Sequence, residues 1–101
     1  MSFVPGLEPM FGGNQSALNV NAASAIVAQQ TRLRRIIVVA TTTGPATFND
    51  AATTGAAAAS NAILTIPIGA TVGTVYNLDW PCFNGITLSA AGGGTFAVSF
   101  G

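Results

Sequence analysis

The sequence predicts an all-β fold: a single small β-sandwich or jelly-roll-like barrel of about seven strands behind an extended N-terminal arm. Three observations predict it. Short apolar or alternating runs recur at spacings of about ten residues, the rhythm of small sandwiches. Turn signals separate the runs: Gly44-Pro45, Asn49-Asp50, Asn84-Gly85 and Gly92-Gly93-Gly94. β-branched residues concentrate inside the runs, above all in Ile36-Ile37-Val38-Val39.

Residues 1–16 read as the arm. Pro5, Gly6, Pro9, Gly12, Gly13 and Asn14 interrupt any period, while Phe3, Val4, Leu7, Met10 and Phe11 supply apolar anchors. A solvated tail would be more polar, so these five are candidate contacts to a partner. Residues 17–101 read as the sandwich. Leu18, Val20 and Ala22 alternate with Asn19 and Asn21, and Ala25-Ile26-Val27-Ala28 extends the strand character. Ala22, Ala25 and Ile26 also fit a helical spacing; the strand reading is preferred. Gln29-Gln30-Thr31 reads as a turn.

The strongest strand is Leu33 to Thr42. Its β-branched centre suits burial on both sides. Ala46-Thr47-Phe48 is a short strand closed by Asn49-Asp50. Residues 51–61 read as an Ala/Thr/Gly-rich connection with room for a helical turn over Ala56–Ala59. In Ala62 to Ile68, Leu64, Ile66 and Ile68 share a face, and Pro67 lacks a ladder donor, which reads as an edge strand or one with a bulge. Val72 to Trp80 follows, with Tyr76, Leu78 and Trp80 on one face. Gly85 to Ser89 and Thr95 to Phe100 read as a hairpin over Ala90 to Gly94, with Phe96, Val98 and Phe100 on one face. The glycine triplet reads as its tip, because a phosphate cradle needs a strand-to-helix context.

Charge is scarce. Only 6% of the chain is charged, against about 25% in an ordinary domain. The six charges are Glu8, Arg32, Arg34, Arg35, Asp50 and Asp79; net charge is zero and half the residues are hydrophobic. Such a surface has little to keep copies apart. Coverage by other protein is the expected resolution, and an assembly subunit is a better reading than a free enzyme. Zero net charge also argues against a nucleic-acid partner. No run of about 20 apolar residues exists, so no membrane partner is expected. The N-terminus shows neither the basic nor the apolar region of a secretory signal.

The missing residue types narrow the chemistry further. Without His there is no Ser-His-Asp or Cys-His system, and the commonest metal ligand is lacking. Without Lys there is no P-loop or Schiff-base site. Asp50 and Asp79 would make a glycosidase pair only if they faced each other across a cleft; their contexts read as turn caps. Cys82 reads as a small core hydrophobe with no cation nearby to activate it, and Trp80 as buried under a strand bend. The expectation is no enzyme, no catalytic residue, no cofactor and no metal. Arg32-Leu33-Arg34-Arg35 is the one dense charge cluster. Strand alternation puts Arg32 and Arg34 on one face and Arg35 with Leu33 on the other. All three are candidates for a polar clamp on a partner, a use that suits bidentate guanidinium groups.

Several runs carry a family resemblance: Arg32-Leu33-x-Arg35-Ile36-x-Val38, the Thr41–Thr43 strand end, and Ala46-Thr47-Phe48-Asn49-Asp50. Gly73-Thr74-Val75-Tyr76-x-Leu78-Asp79-Trp80-Pro81-Cys82-x-Asn84-Gly85-Ile86 and the closing Thr95–Phe100 complete it. Across residues 17–101 the chain resembles small all-β virion proteins of tailed bacteriophages, of the head decoration (cement) or small tail kind. The resemblance implies a β-sandwich subunit, often trimeric, on the outside of a capsid. The expected function is therefore capsid decoration. The partners would be further copies of the chain, as a homotrimer, and the major capsid protein. The expected location is the capsid surface of the virion, after synthesis in the host cytoplasm. The alternative is a tail, fibre or head-fibre module for host attachment, which calls for Tyr76 and Trp80 as an exposed aromatic platform.

Overall fold

A computed structural model describes residues 15–101. The five apolar arm positions, Phe3, Val4, Leu7, Met10 and Phe11, lie outside the described residues, as does Glu8. The domain is all-β, with eight strands: β1 Gln15–Val20, β2 Ser24–Val27, β3 Thr31–Ala40, β4 Ala46–Asn49, β5 Ala62–Ile66, β6 Val75–Cys82, β7 Ile86–Ala90 and β8 Thr95–Phe100. They form two antiparallel four-stranded sheets, ordered β1-β8-β3-β6 and β2-β7-β4-β5. Successive strands after β1 alternate between the sheets except at β4 and β5. That interleaving is the jelly-roll arrangement of two Greek keys.

The predicted first strand is two strands, β1 and β2, in opposite sheets. The break comes at Asn21 to Ala23, after Asn19 has already taken a left-handed φ of 57°. Asn tolerates that region. The resulting bulge between Ala17 and Val20 breaks the alternation, so Val20 packs on the core while Leu18 stands 74% exposed. The sixth strand starts at Val75 rather than Val72 and runs on through Pro81 to Cys82.

The predicted terminal hairpin does not form. β7 pairs with β2 and β4, whereas β8 sits between β1 and β3 in the other sheet. Residues 91–94 cross from one sheet to the other. Gly92 lets them do so: its φ is +59°, and an added Cβ would lie 2.2 Å from the Gly44 carbonyl oxygen. The crossing sets Phe96 and Val98 opposite Ile86 and Leu88 across the core, which a hairpin would have placed in one sheet.

The core is the space between the sheets. Leu33, Ile36, Val38, Phe96, Val98 and Cys82 face it from one side, and Phe48, Ile66, Ile86 and Leu88 from the other. Phe48 and Phe96 meet edge to face, 5.5 Å apart at 79°. This geometry adds about 1 kcal/mol beyond the area the rings bury. The centre of β3 is buried on one side only: Ile36 and Val38 are sealed, while Val39 is half exposed. Ile37 and Val39 belong to an outer sheet face that no described element covers.

Buried polar groups are satisfied, as a dry core requires. Thr87 Oγ1 donates to the Ala51 carbonyl at 2.7 Å. Thr42 Oγ1 donates to the Pro67 carbonyl at 2.8 Å and accepts from the Ala70 N–H. Asn49 Nδ2 donates to the Ala58 carbonyl and to Asn61 Oδ1, and its own Oδ1 accepts from Ser89 Oγ. That network pins the 51–61 connection, with its 3-10 turns Thr54–Ala56 and Ala59–Asn61, against the second sheet.

Candidate interaction surface

The arginine cluster lies along β3, but the three guanidinium groups have different partners. Arg34 Nη1 pairs with Asp79 Oδ1 at 2.5 Å, and its Nε donates to the Gly101 carbonyl. Arg32 Nη1 donates to the Asp79 backbone carbonyl at 3.0 Å and lies 3.8 Å from the same carboxylate. Arg35 Nε donates to Asn77 Oδ1 at 2.8 Å. Two of the three arginines therefore converge on one acid of β6 inside the domain.

Alternation predicted Arg35 on the same face as Leu33. A register shift between Leu33 and Arg35 in both β3 pairings overturns this. The buried set passes from Leu33 to Ile36, and Arg35 is exposed. The physical reason is desolvation: an inward Arg35 would bury an unpaired guanidinium. Opposite the shift, Asp79 takes a φ of 50° in β6. The two irregularities together aim Arg32 and Arg34 at Asp79.

Asp50 is a turn cap, as its sequence context suggests. Its Oδ2 accepts from the Phe83 N–H at 3.1 Å, and its Oδ1 from the N–H groups of Asn84 and Gly85 at 2.8 and 3.3 Å. A carboxylate suits three converging backbone donors. Both acids in the described sandwich are thus engaged, one by backbone and one by arginine. Cys82 is sealed in the core as a small hydrophobe. Burial pushes its thiol up to about 11, with the nearby Asp50 charge adding to the effect and a hydrogen bond from the Leu33 backbone opposing it. Among the described residues, no three His, Cys, Asp or Glu side chains gather where a metal could be held. None of the described helices is long and apolar enough to cross a membrane.

Several large apolar side chains remain outside. Trp80, expected to be buried, is 52% exposed, and Phe83 is 68% exposed just beyond it. The physical reason lies next door: the left-handed Asp79 and the non-donating Pro81 irregularise this end of an edge strand. Tyr76, by contrast, packs on the core. At the end of the domain beyond β3, Val39, Ile68, Val72 and Val75 are also exposed. Backbone bonds from Val38 to Thr74 and from Gly73 to Val38 tie the 72–74 loop to β3 there.

Each sheet also carries a groove on its outer face. On the first sheet, Leu18, Ile37, Ala97, Ser16, Ser99 and Arg35 line a depression of about 160 Å³. On the second, Thr47, Asn49, Thr65 and Ser89, with alanines of the 51–61 connection, line one of about 370 Å³. Sequence reasoning missed the first groove because the Asn19 and Arg35 bulges create it. The available signal was Asn19 itself, a residue type that tolerates positive φ.

No protein family, no curated protein and no solved structure matches the chain at a significant level.

Proposed function

We propose that the chain is a bacteriophage virion structural protein, a capsid decoration (cement) protein that oligomerises as a trimer on the head surface. There it would tie neighbouring major capsid subunits together. One observation carries the reading. The domain spends its few charges internally, on Asp79 and on the 83–85 turn, and leaves large apolar side chains outside. Such a surface is suited to being covered. The mechanism is additive burial: interfaces of roughly 1,200–2,000 Å² each would resist the outward pressure of packaged DNA. Phe3, Val4, Leu7, Met10 and Phe11 would supply arm contacts. Of the arginine clamp, Arg35 is the member whose charge no described carboxylate answers.

The test is proteomics and density analysis of phage particles whose genome encodes this chain. Stoichiometric copies on the head, and a trimer by native mass spectrometry, are expected. Absence from the particle overturns the reading. Removal of residues 1–13 should lower head occupancy; unchanged occupancy removes the arm from the mechanism.

A second reading is a tail, fibre or head-fibre module for host attachment. The exposed Trp80 and Phe83 favour it, since a flat aromatic can stack on a sugar ring. Density on the tail rather than the head selects it.

A further inference from the structure

We propose that the groove on the outer face of β1, β8 and β3 is the seat of the chain's own N-terminal segment, residues 1–14. The inference rests on reading that segment as a docking arm and names where it docks. Three observations point to this occupant. The first is continuity. The segment ends directly before Gln15, and Ser16 and Leu18 of the same strand form one wall of the groove. Fourteen extended residues reach at most roughly 50 Å, whereas the groove crosses two strand spacings, about 10 Å. The sequence Gly12-Gly13-Asn14 is of a type that would permit the reversal this seat requires.

The second is chemistry. Leu18, Ile37 and Ala97 give the groove an apolar floor, and the segment brings Phe3, Val4, Leu7, Met10 and Phe11. The third is charge. Arg32 and Arg34 have Asp79, but Arg35, at the groove edge, has no carboxylate within ion-pair distance among the described residues. Asp50 holds the 83–85 turn. The remaining acid of the sequence is Glu8, in the middle of the segment. Glu8 is assigned to Arg35.

Phe11 is followed by Gly12, so limited chymotrypsin digestion, with the released residues 1–11 detected by mass spectrometry, reads the accessibility of the segment in the full chain. Cleavage after Phe11 should be much slower in the folded chain than in a synthetic peptide of residues 1–14. Arg35→Gln should speed it about two- to fivefold, the range of one exposed ion pair. Leu18→Ser should speed it about tenfold by removing apolar floor; Leu18 is exposed, so this variant keeps its fold. A Glu8→Cys/Arg35→Cys double variant should cross-link under mild oxidation, while Glu8→Cys/Thr65→Cys, on the opposite sheet, should not. A cross-linked monomer and a cross-linked oligomer both establish the seat, and the band says which copy fills it. Peptide-like cleavage in the intact chain, or no cross-link to Arg35→Cys, overturns the proposal. Neither result bears on whether the chain decorates a head, which the virion density decides.

Discussion

Asp50, just past β4, accepts a 2.8 Å hydrogen bond from the backbone N–H of Asn84, in the turn after β6. With the bonds from Phe83 and Gly85, one carboxylate joins the two sheets at this end of the sandwich. Asp50→Ala strands three donors and should cost about 2 kcal/mol. Asp50→Asn keeps one acceptor and should cost less. Urea unfolding of both variants checks this; equal midpoints for wild type and Asp50→Ala would show that the turn holds itself.

The same turn depends on Gly85. An added Cβ there would lie 2.2 Å from the Val27 carbonyl oxygen and 2.9 Å from that of Ala51, at a φ of +150°. No flexible side chain can give way, because both obstacles are backbone. Gly85→Ala should cost at least ~3 kcal/mol, at the severe end for point mutants. Gly55→Ala is the control: its Cβ would meet Thr53 Oγ1 at 4.0 Å, and it should stay within about 0.5 kcal/mol of wild type. A thermal melt of the pair separates backbone collision from a general effect of added methyls.

Cys82 gives the domain an alkaline limit. In the folded chain burial pushes its thiol to about 11, against an ordinary 9.0. Above pH 9 the unfolded chain therefore holds fewer protons than the native one, and stability falls as pH rises. The contribution is whole below about pH 9 and is lost up to about pH 11, on the order of 2 kcal/mol in all. Unfolding free energies at pH 8 and 10.5, for wild type and Cys82→Ala, should show the difference shrinking with pH. A constant difference would contradict a buried neutral thiol.

Asp79 separates backbone geometry from ion pairing. Its φ of 50° suits Asp, Asn and Gly but not β-branched residues. Its pairs with Arg32 and Arg34 are largely exposed, and such pairs contribute well under ~1 kcal/mol each. Asp79→Asn should therefore be nearly silent, while Asp79→Val should cost a further 1–2 kcal/mol or so. If the two variants are equally damaging, the ion pairs matter more than the bulge.

These positions also mark what the sequence could and could not reveal. Alternation exposed the strands because half-buried sheets write period two into the chain. Phe96, Val98 and Phe100 were legible; β5 is an edge strand, one of the two readings that Pro67 allowed, although the strand ends at Ile66, before the proline. Pairing was not legible: residues 85–89 and 95–100 look like a hairpin locally, yet Gly92 passes under Gly44, a contact 48 residues away in sequence. The bulges at Asn19 and Arg35 were invisible for the same reason, since they answer to neighbouring strands. They decide the candidate surface, sending Leu18 and Arg35 outward. Asp50 as a cap was legible from its place after Asn49, but not the turn it caps.

Trp80 and Phe83 supply the sharpest test of the surface itself. At 52% and 68% exposure they add little to the core, so Trp80→Ser and Phe83→Ser should leave stability within about 0.5 kcal/mol of wild type. A covered interface would make them costly elsewhere, because buried aromatics dominate binding energy. On a decorated head, each substitution should weaken occupancy about tenfold or more, since losing an aromatic anchor commonly costs over ~1.4 kcal/mol. On an attachment module, head occupancy would hold and adsorption to host cells would drop instead. Variants that neither unfold, lose occupancy nor lose adsorption would take this aromatic pair out of both readings. The partner surface would then lie at the other apolar end, around Ile68, Val72 and Val75.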